Sequence, residues 1–255
     1  MARVVFQETF GWDAAELDLQ RTTALSESEL LKVYIPLTRL RAGEPLQYVL
    51  GHSWFMGLRL YVGPGVLIPR PETEEMVDLI RQRGSGFGRI LDIGTGSGCI
   101  ALALKKLFPK AVVHGVDVSI EALRIARQNG TDQGLDVFWE HFDVLADVFT
   151  PLGALDLLVS NPPYVPRAEE KELETHVRDH EPHLALFVDD DDPLLFYRVI
   201  ATKGLDMLVP GGELWFEGHY KHAVEVGELL ERLGYEKVEV LNDLSGSPRF
   251  IHAIR

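Results

Sequence analysis

The stretch RILDIGTGSG, residues 89–98, is an apolar run that leads directly into a loop rich in glycine. It is followed by IALALKKLF, residues 100–108, whose apolar side chains suit a buried helix. Glycine in such a loop lets the backbone come close to a ligand, and the first amide groups of the next helix point outward. The stretch therefore predicts a strand, a ligand-binding loop and a helix in an α/β domain.

Further apolar runs alternate with helical segments after this loop. The runs are AVVHGVDV (111–118), VFWEHFDV (137–144), LDLLVS (155–160), GELWFEG (212–218), KVEVLND (237–243) and RFIHAIR (249–255). One intervening helix is predicted over 120–129, with Ser119 at its start and Asn129 and Gly130 at its end. The alternation predicts a mostly parallel sheet covered on both faces. The last two runs have no helix between them and predict an antiparallel hairpin.

The residues before the loop predict a helix and a hairpin. Ser26 followed by Glu29 has the spacing of a capping box, and apolar residues then recur at helical intervals, which predicts a helix over 27–42. HSWFMGLRLYVGPGVLIP, residues 52–69, is rich in aromatic and branched side chains and is broken by Gly-Pro-Gly at 63–65. This composition predicts a β-hairpin.

The organisation of the chain changes at Pro71, where a proline followed by acidic residues predicts the start of a helix. At 255 residues, the chain is long enough for one large domain with a small appendage. We predict a short N-terminal helical segment over 1–46, a β-hairpin linker over 47–70 and the main domain over 71–255.

The composition is that of a globular protein, with 46% hydrophobic and 25% charged residues, which excludes a mainly disordered chain. The 25 basic and 39 acidic residues give a net charge of −14, and a surface of that sign repels nucleic-acid phosphates. Cys99 is the only cysteine. No apolar run reaches the roughly 18 residues of a membrane span. We predict a cytoplasmic protein that binds neither membranes nor nucleic acid directly.

Three of the predicted strands end in an acidic residue: Asp92, Asp117 and Asp143. Parallel strands place such residues at one edge of a sheet, where a carboxylate can accept hydrogen bonds from ribose hydroxyls. Alternatively, Asp117 and Asp143 cap the helices that follow them. Cys99 stands where a dinucleotide fingerprint has its last glycine, which argues against NAD. The three acids beside a glycine loop favour a nucleoside ligand.

The segment Asn161-Pro162-Pro163-Tyr164 follows the fourth predicted strand of the main domain. The prolines fix the backbone and remove amide donors, so the carbonyls of Asn161 and Pro162 can face a cavity as acceptors. The Asn161 side chain adds an acceptor for an incoming NH2 group, and Tyr164 can stack on a planar group. A simple proline-rich turn is the alternative. The combination predicts a site that orients a planar amine or amide.

Together, the glycine loop, Asp117 and the segment 161–164 resemble class I S-adenosylmethionine-dependent methyltransferases that act on planar nitrogens. Further stretches make the chain similar to the bacterial release-factor glutamine methyltransferases. They are residues 41–48 and 67–74, Glu181-Pro182, Ala185-Leu186, and Asp243, Gly246 and Arg249. The resemblance runs from about Arg39 to the end, and it implies a Rossmann-like methyltransferase sheet.

The resemblance also implies the ligands and the site residues. S-adenosylmethionine, with S-adenosylhomocysteine as product, is expected to contact Asp92, Ile93, Gly94, Thr95, Gly96, Asp117, Asp143, Val144 and Asn161. Asp92 is expected beside the positive charge of this cofactor. The substrate glutamine, in a Gly-Gly-Gln motif of peptide-chain release factors, is expected to contact Asn161, Pro162, Pro163 and Tyr164, of which Asn161, Pro162 and Tyr164 are the candidate catalytic residues. We expect no metal and a monomer.

Two departures from the family and several alternatives accompany this interpretation. The N-terminal segment is shorter than the usual multi-helix domain, and residues 188–194 replace a glycine-containing turn with an aspartate run. The alternative functions are a ribosomal-protein glutamine methyltransferase, an adenine-amine methyltransferase of nucleic acids, and a noncatalytic S-adenosylmethionine-binding protein. Residues 70–73 favour release factors. Two residues have alternative interpretations. Glu217 can face the active site or lie away from it. Cys99 can be a buried packing thiol or a thiol with a lowered pKa at the start of a helix.

Overall fold

The computed structural model describes residues 1–84, 86–146 and 154–255. The helices are α1 Ala2–Phe10, α2 Ala14–Leu19, α3 Glu27–Arg41, α4 Leu46–Leu50, α5 Pro71–Arg83, α6 Cys99–Leu107, α7 Ile120–Gln133, α8 Thr175–His180, α9 His183–Leu186, α10 Leu195–Met207 and α11 Ala223–Leu233. The strands are β1 His52–Phe55, β2 Leu58–Tyr61, β3 Arg89–Ile93, β4 Val112–Asp117, β5 Phe138–His141, β6 Leu155–Ser160, β7 Val165–Pro166, β8 Phe187–Val188, β9 Leu208–Glu217, β10 Glu236–Asn242 and β11 Pro248–Ile254. No helix in these ranges is both long and apolar enough to cross a membrane.

Within the described ranges, seven strands form the main sheet in the order β10, β11, β9, β6, β3, β4, β5. The five strands β3, β4, β5, β6 and β9 are parallel, whereas β11 is antiparallel to both β9 and β10. The predicted α/β fold, its mostly parallel sheet and its antiparallel end are therefore confirmed. The carboxyl ends of the parallel strands meet at one edge, where a ligand cleft is expected.

Helices cover both faces of the main sheet. The central strand β3 is apolar because both of its faces are buried under helices. Ile90 and Leu91 are both fully buried. Ile90 belongs to a cluster that includes Met76 of α5, and Leu91 belongs to one that includes Ile200 of α10 and Leu230 of α11. Successive side chains of a strand point to opposite faces, so both faces of β3 need apolar residues. Burying each such side chain contributes about 1.5–3 kcal/mol.

The N-terminal part contains more helix than we predict from the sequence. Helix α3 ends within one residue of its predicted end and has the predicted capping box between Ser26 and Glu29. Helices α1 and α2 are not among the predicted elements. A second capping box, formed by Asp13 and Glu16, begins α2 and is the sequence signal that was missed.

The predicted hairpin exists, but its turn lies elsewhere. Strands β1 and β2 pair antiparallel, with Phe55 opposite Leu58, so the turn is Met56-Gly57 and not 63–65. Met56 and Gly57 have φ of 48° and 69°. Positive φ at both central residues is what a two-residue hairpin turn of type I′ requires, because its twist matches that of the strands.

Helix α7 begins as predicted but runs four residues beyond its predicted end. The Ser119 side chain caps its first turn. The helix continues through Asn129 and Gly130 to Gln133, and it ends at Gly134 with φ of 64°. The prediction that Asn129 and Gly130 end the helix is therefore wrong.

Asn129 instead joins α7 to two distant segments. Its Oδ1 accepts a hydrogen bond from the Tyr61 amide at 2.7 Å, and its Nδ2 donates to the carbonyls of Tyr61 at 3.1 Å and Ser97 at 2.9 Å. The side chain is 1% exposed. Its hydrogen bonds hold the hairpin and the end of the glycine loop against the same helix.

Candidate active site

The glycine loop between β3 and α6 presents its backbone to open space. Gly94 and Gly96 have φ of 72° and 56°, which a residue with a side chain adopts only with strain. No described atom lies within 4 Å of the positions that their Cβ atoms would occupy. The amides of Gly94 and Thr95 donate to the Val116 carbonyl at 2.9 and 3.0 Å, which fixes the loop against β4.

Asp117, at the end of β4, holds the loop from the other side. Its two carboxylate oxygens accept hydrogen bonds from the amides of Gly96 and Ser119, both at 2.8 Å. Because Ser119 itself caps α7, Asp117 has a role other than that of a helix cap. Burial raises the pKa of Asp117, and its hydrogen bonds to backbone amides oppose this shift.

Asp92 lies behind the loop. It is fully buried, and its Oδ2 accepts hydrogen bonds from the Thr95 hydroxyl at 2.6 Å and the Ala101 amide at 3.2 Å. Burial raises the pKa of Asp92 to about 7. Asp92 thus orients Thr95 and the start of α6, while Thr95 itself lines a cleft at the carboxyl ends of the strands.

A cleft at the carboxyl ends of the strands brings together most of the predicted cofactor residues. It is lined by Ile93, Gly94, Thr95, Gly96, Asp117, Asp143, Val144, Asn161, Pro162 and Pro163. The loop before α5 also lines this cleft, with Gly65, Val66, Leu67, Pro69 and Arg70. Glycine backbone, two carboxylates and apolar side chains therefore surround one space.

The segment 161–164, directly after β6, lies where this cleft meets a second cavity of about 540 Å³. Pro162 and Pro163 line the cleft, Tyr164 lines the second cavity, and Asn161 lines both. The Ser160 hydroxyl donates to the Ile93 carbonyl at 2.7 Å, which ties the end of β6 to β3. Asn161 therefore stands between a candidate cofactor space and a space for a substrate side chain.

Glu217, at the end of β9, is not among the described residues that line the cleft or the second cavity, but it bonds to Thr73, which lines the cleft, and to Tyr164, which lines the second cavity. Glu217 therefore contacts the site through these two neighbours. It is 1% exposed, and its two oxygens accept hydrogen bonds from Thr73 Oγ1 at 2.6 Å and the Tyr164 hydroxyl at 3.1 Å. Asn161 Nδ2 donates to the same Thr73 oxygen at 3.3 Å. Burial raises the pKa of Glu217, and the two hydroxyl groups oppose this shift. The role of Thr73 was missed, although Thr73 lies in the stretch 67–74.

Sequence comparison decides the family. A release factor glutamine methyltransferase of Bacteroides thetaiotaomicron is 41% identical over 255 residues, which is 100% of this chain and 92% of the relative. The chain belongs to the release factor glutamine methyltransferases. A second member, from Flavobacterium psychrophilum, is 40% identical over 241 residues and covers 92% of this chain and 84% of the relative.

Two family models each match one part of this methyltransferase. The model described as "PrmC N-terminal domain" matches residues 1–51, and the one described as "Methyltransferase small domain" matches residues 73–179. The first match extends over α1 to α3, in the segment 1–46 that we predict to be shortened, and over α4, which lies at the start of the predicted β-hairpin linker. A solved methyltransferase of Pyrococcus furiosus superposes with a TM-score of 0.60 at 20% identity, covering 86% of this chain and 96% of that one. It supports the class I methyltransferase fold.

In this family member, Glu181 fixes the wall that the two cavities share. It is 3% exposed, and its oxygens accept hydrogen bonds from the Ile68 amide at 3.0 Å and from Arg70 Nη2 at 2.5 Å. Leu67 and Arg70 line both cavities. A carboxylate far along the chain therefore holds the loop before α5 in place.

Two lesser features of the methyltransferase have simple explanations. Burial raises the pKa of the Cys99 thiol to about 12, so the alternative of a lowered pKa is wrong and the packing thiol is confirmed. In the aspartate run, Asp190 accepts a hydrogen bond from the Ala168 amide at 2.9 Å, and Asp192 pairs with Arg198. The run therefore makes contacts within the chain.

Proposed function

We propose that this protein transfers a methyl group from S-adenosylmethionine to the side-chain amide nitrogen of the glutamine in the Gly-Gly-Gln motif of peptide-chain release factors. The observation that carries this proposal is the position of Asn161, which lines both the cleft and the second cavity. Membership of the release factor glutamine methyltransferases supports it. The cofactor then occupies the cleft, and the glutamine enters from the second cavity.

The donor set of the cleft fits S-adenosylmethionine. Gly94 and Gly96 leave the loop backbone open to a ligand, and Asp117 offers a carboxylate at the end of β4 for ribose hydroxyls. Asp92 adds negative charge behind Thr95, and its Oδ1 has no hydrogen-bond partner among the described residues. When bound, S-adenosylmethionine supplies a methyl group on a positively charged sulfur.

The residues of segment 161–164 hold the substrate amide. An amide nitrogen is a weak nucleophile because its lone pair is delocalised into the carbonyl, so its orientation matters most. Asn161 Oδ1 and the Pro162 carbonyl can accept its two N–H groups, and Pro163 and Tyr164 shape the space around it. Such positioning can lower a barrier by about 7–11 kcal/mol. Asn161, Pro162 and Tyr164 are the proposed catalytic residues.

The remaining proposals concern the whole protein. We assign residues 1–46 to a short helical segment that helps to dock the release factor, 47–70 to a β-hairpin linker and 71–255 to the methyltransferase domain. We further propose a cytoplasmic monomer that works without a metal and without direct nucleic-acid contact. The net charge of −14 supports the last point, because it disfavours binding to phosphates.

The test is methyl transfer from labelled S-adenosylmethionine to purified, unmodified release factor and to the same factor with the Gly-Gly-Gln glutamine replaced. We expect label on the first protein only. Label on neither, with cofactor binding intact, would contradict the proposal. Ribosomal proteins and adenine-containing nucleic acids would then be assayed as acceptors.

A further inference from the structure

Thr73 lies between Asn161 and Glu217, and the three side chains form a chain of hydrogen bonds. The Thr73 hydroxyl donates to Glu217 Oε2 at 2.6 Å and accepts from Asn161 Nδ2 at 3.3 Å. Thr73 is 2% exposed and Glu217 is 1% exposed. The chain of hydrogen bonds joins the first turn of α5 to the end of β9 through the candidate site.

The single proton of the Thr73 hydroxyl determines the orientation of the Asn161 amide. An ionised carboxylate can only accept, so the Thr73 proton points to Glu217. Thr73 then offers only a lone pair to Asn161, and the NH2 end of the amide must face it. Asn161 Oδ1 is thereby turned away from Thr73 and is left to accept a hydrogen bond from another group.

We propose that Thr73 and Glu217 are positioning residues for methyl transfer, which make Asn161 present its oxygen, and not its NH2 group, to the substrate amide. This inference rests on the proposed function. The two ends of an amide have nearly the same shape, so packing alone does not choose between them. In the opposite orientation, the Asn161 NH2 would face the N–H groups of the glutamine, and two donors form no hydrogen bond.

Tyr164 holds the carboxylate of Glu217 in the orientation in which it accepts the Thr73 proton. Its hydroxyl donates to Glu217 Oε1 at 3.1 Å, so the two oxygens of the carboxylate have separate donors. The Tyr164 ring also makes an edge contact with His219, with the ring centroids 6.0 Å apart. Thr73 therefore meets a fixed acceptor.

The first experiment compares Thr73→Val, which keeps the shape but removes the hydroxyl, with Thr73→Ser, which restores it. Single-turnover transfer to release factor and cofactor affinity are both measured. We expect Thr73→Val to lower the transfer rate about tenfold or more with cofactor affinity unchanged, and Thr73→Ser to recover most of the rate. Thr202→Val is the matched control, because Thr202 is an exposed residue of α10 whose hydroxyl donates to the Arg198 carbonyl of the same helix. A Thr73→Val rate within about threefold of the wild type would overturn the proposal.

The second experiment asks whether Thr73 acts through Asn161. Thr73→Val is combined with Asn161→Ala, and the rate is compared with that of Asn161→Ala alone. We expect the added substitution to change the rate less than about twofold, because there is no amide left to orient. An equal loss in both backgrounds would show that Thr73 acts otherwise and would overturn the proposal.

A third variant covers the case that Thr73→Val does not fold. Glu217→Gln can donate from its amide to Thr73 and so releases the Thr73 proton toward Asn161. We expect it to lower the rate in the wild-type background and to have little effect beside Asn161→Ala. All rates are referred to the wild-type protein, so a failure of the proposed function appears as no labelling by the wild type, whereas a failure of this inference appears only in the variants.

Discussion

Asn161 places one side-chain oxygen where the cleft and the second cavity meet, so its loss should affect the reaction and not the fold. We expect Asn161→Ala to lower the rate of methyl transfer about a hundredfold or more, as removal of one preorganised polar group does elsewhere. The measurement is single-turnover transfer from labelled cofactor. Asn242→Ala, at an exposed position of β10, serves as the control, and a near-normal rate for Asn161→Ala would exclude the proposed role.

The pH dependence of the reaction should reveal Glu217. Burial raises its pKa, so it takes up a proton at a higher pH than the roughly 4.3 of an ordinary glutamate. Its protonated form no longer accepts from Thr73 as the carboxylate does, and the transfer rate should therefore fall as the pH is lowered through this raised pKa. Glu72 raises the pKa further, and Arg249 lowers it.

The measurement is a pH–rate profile of the wild type beside that of Glu217→Gln. Asp92, whose pKa burial raises to about 7, titrates in both proteins. The difference between the two profiles at low pH is the fall in rate that Glu217 contributes. Identical acid limbs would count against a functional role for the ionised carboxylate.

At the scale of elements, the loop before α5 depends on a partner more than a hundred residues away. Glu181→Ala leaves the buried Ile68 amide and the Arg70 guanidinium without this acceptor. We expect a loss of about 1–3 kcal/mol in the free energy of unfolding and weaker cofactor binding, because Arg70 and Leu67 line the cleft. Urea unfolding and calorimetric titration would measure the two effects.

The control for that variant is Glu228→Ala, which removes an exposed ion pair with Arg232 on α11. An exposed pair contributes about 0.2–1 kcal/mol or less, so this change should leave both measurements nearly unaltered. Equal effects of the two substitutions would argue that the loop does not need Glu181.

Asn129 makes a similar prediction for the hairpin. Asn129→Ala removes hydrogen bonds to Tyr61 and Ser97 and leaves their backbone groups short of a partner. We expect the free energy of unfolding to fall by about 1–3 kcal/mol. Hydrogen exchange at the Tyr61 amide should accelerate relative to that of amides in β6. Unchanged protection at Tyr61 would show that the hairpin is held by its apolar contacts alone.

Across the whole molecule, the local signals of the sequence predict the strands well. Residues 155–160 form β6 with the predicted bounds, because its apolar residues Leu155, Leu157, Leu158 and Val159 are all buried and suit a strand covered on both faces. The predicted end of α7 was wrong because Asn129 bonds to Tyr61, 68 residues away. This contact outweighs the local preference of Asn-Gly for ending a helix. Met56 carries no sign of the positive φ that it adopts in the hairpin turn.

In the candidate site, too, some residues are predictable from local sequence and others are not. Asn161 and Asp117 belong to contiguous motifs, and the sequence alone indicates what their chemistry is. Thr73 of α5 and Glu217 of β9 are 144 residues apart, and only the packing of the helix on the folded sheet brings them together. No local pattern encodes such a pair, which is why its role follows from the structure.

The proposed independence from metals is a property of the whole molecule and has a direct test. Among the described residues, no group of three or more His, Cys, Asp and Glu side chains has the arrangement of a metal site. We expect the methyl-transfer rate to be the same before and after treatment with a chelator and removal of the chelated metal. A rate that falls and returns on adding back one divalent cation would contradict the proposal.

The position of β11 has a consequence for the synthesis of the chain. Strand β11 lies between β9 and β10, although both precede it in the sequence. While the ribosome has not yet released residues 248–254, β9 presents an open edge and β10 has no neighbour in the sheet. An exposed edge of this kind invites pairing with other chains. A nascent chain stalled before residue 248 therefore exposes an unpaired strand edge to which chaperones can bind, and the sheet closes only after residues 248–254 have left the ribosome.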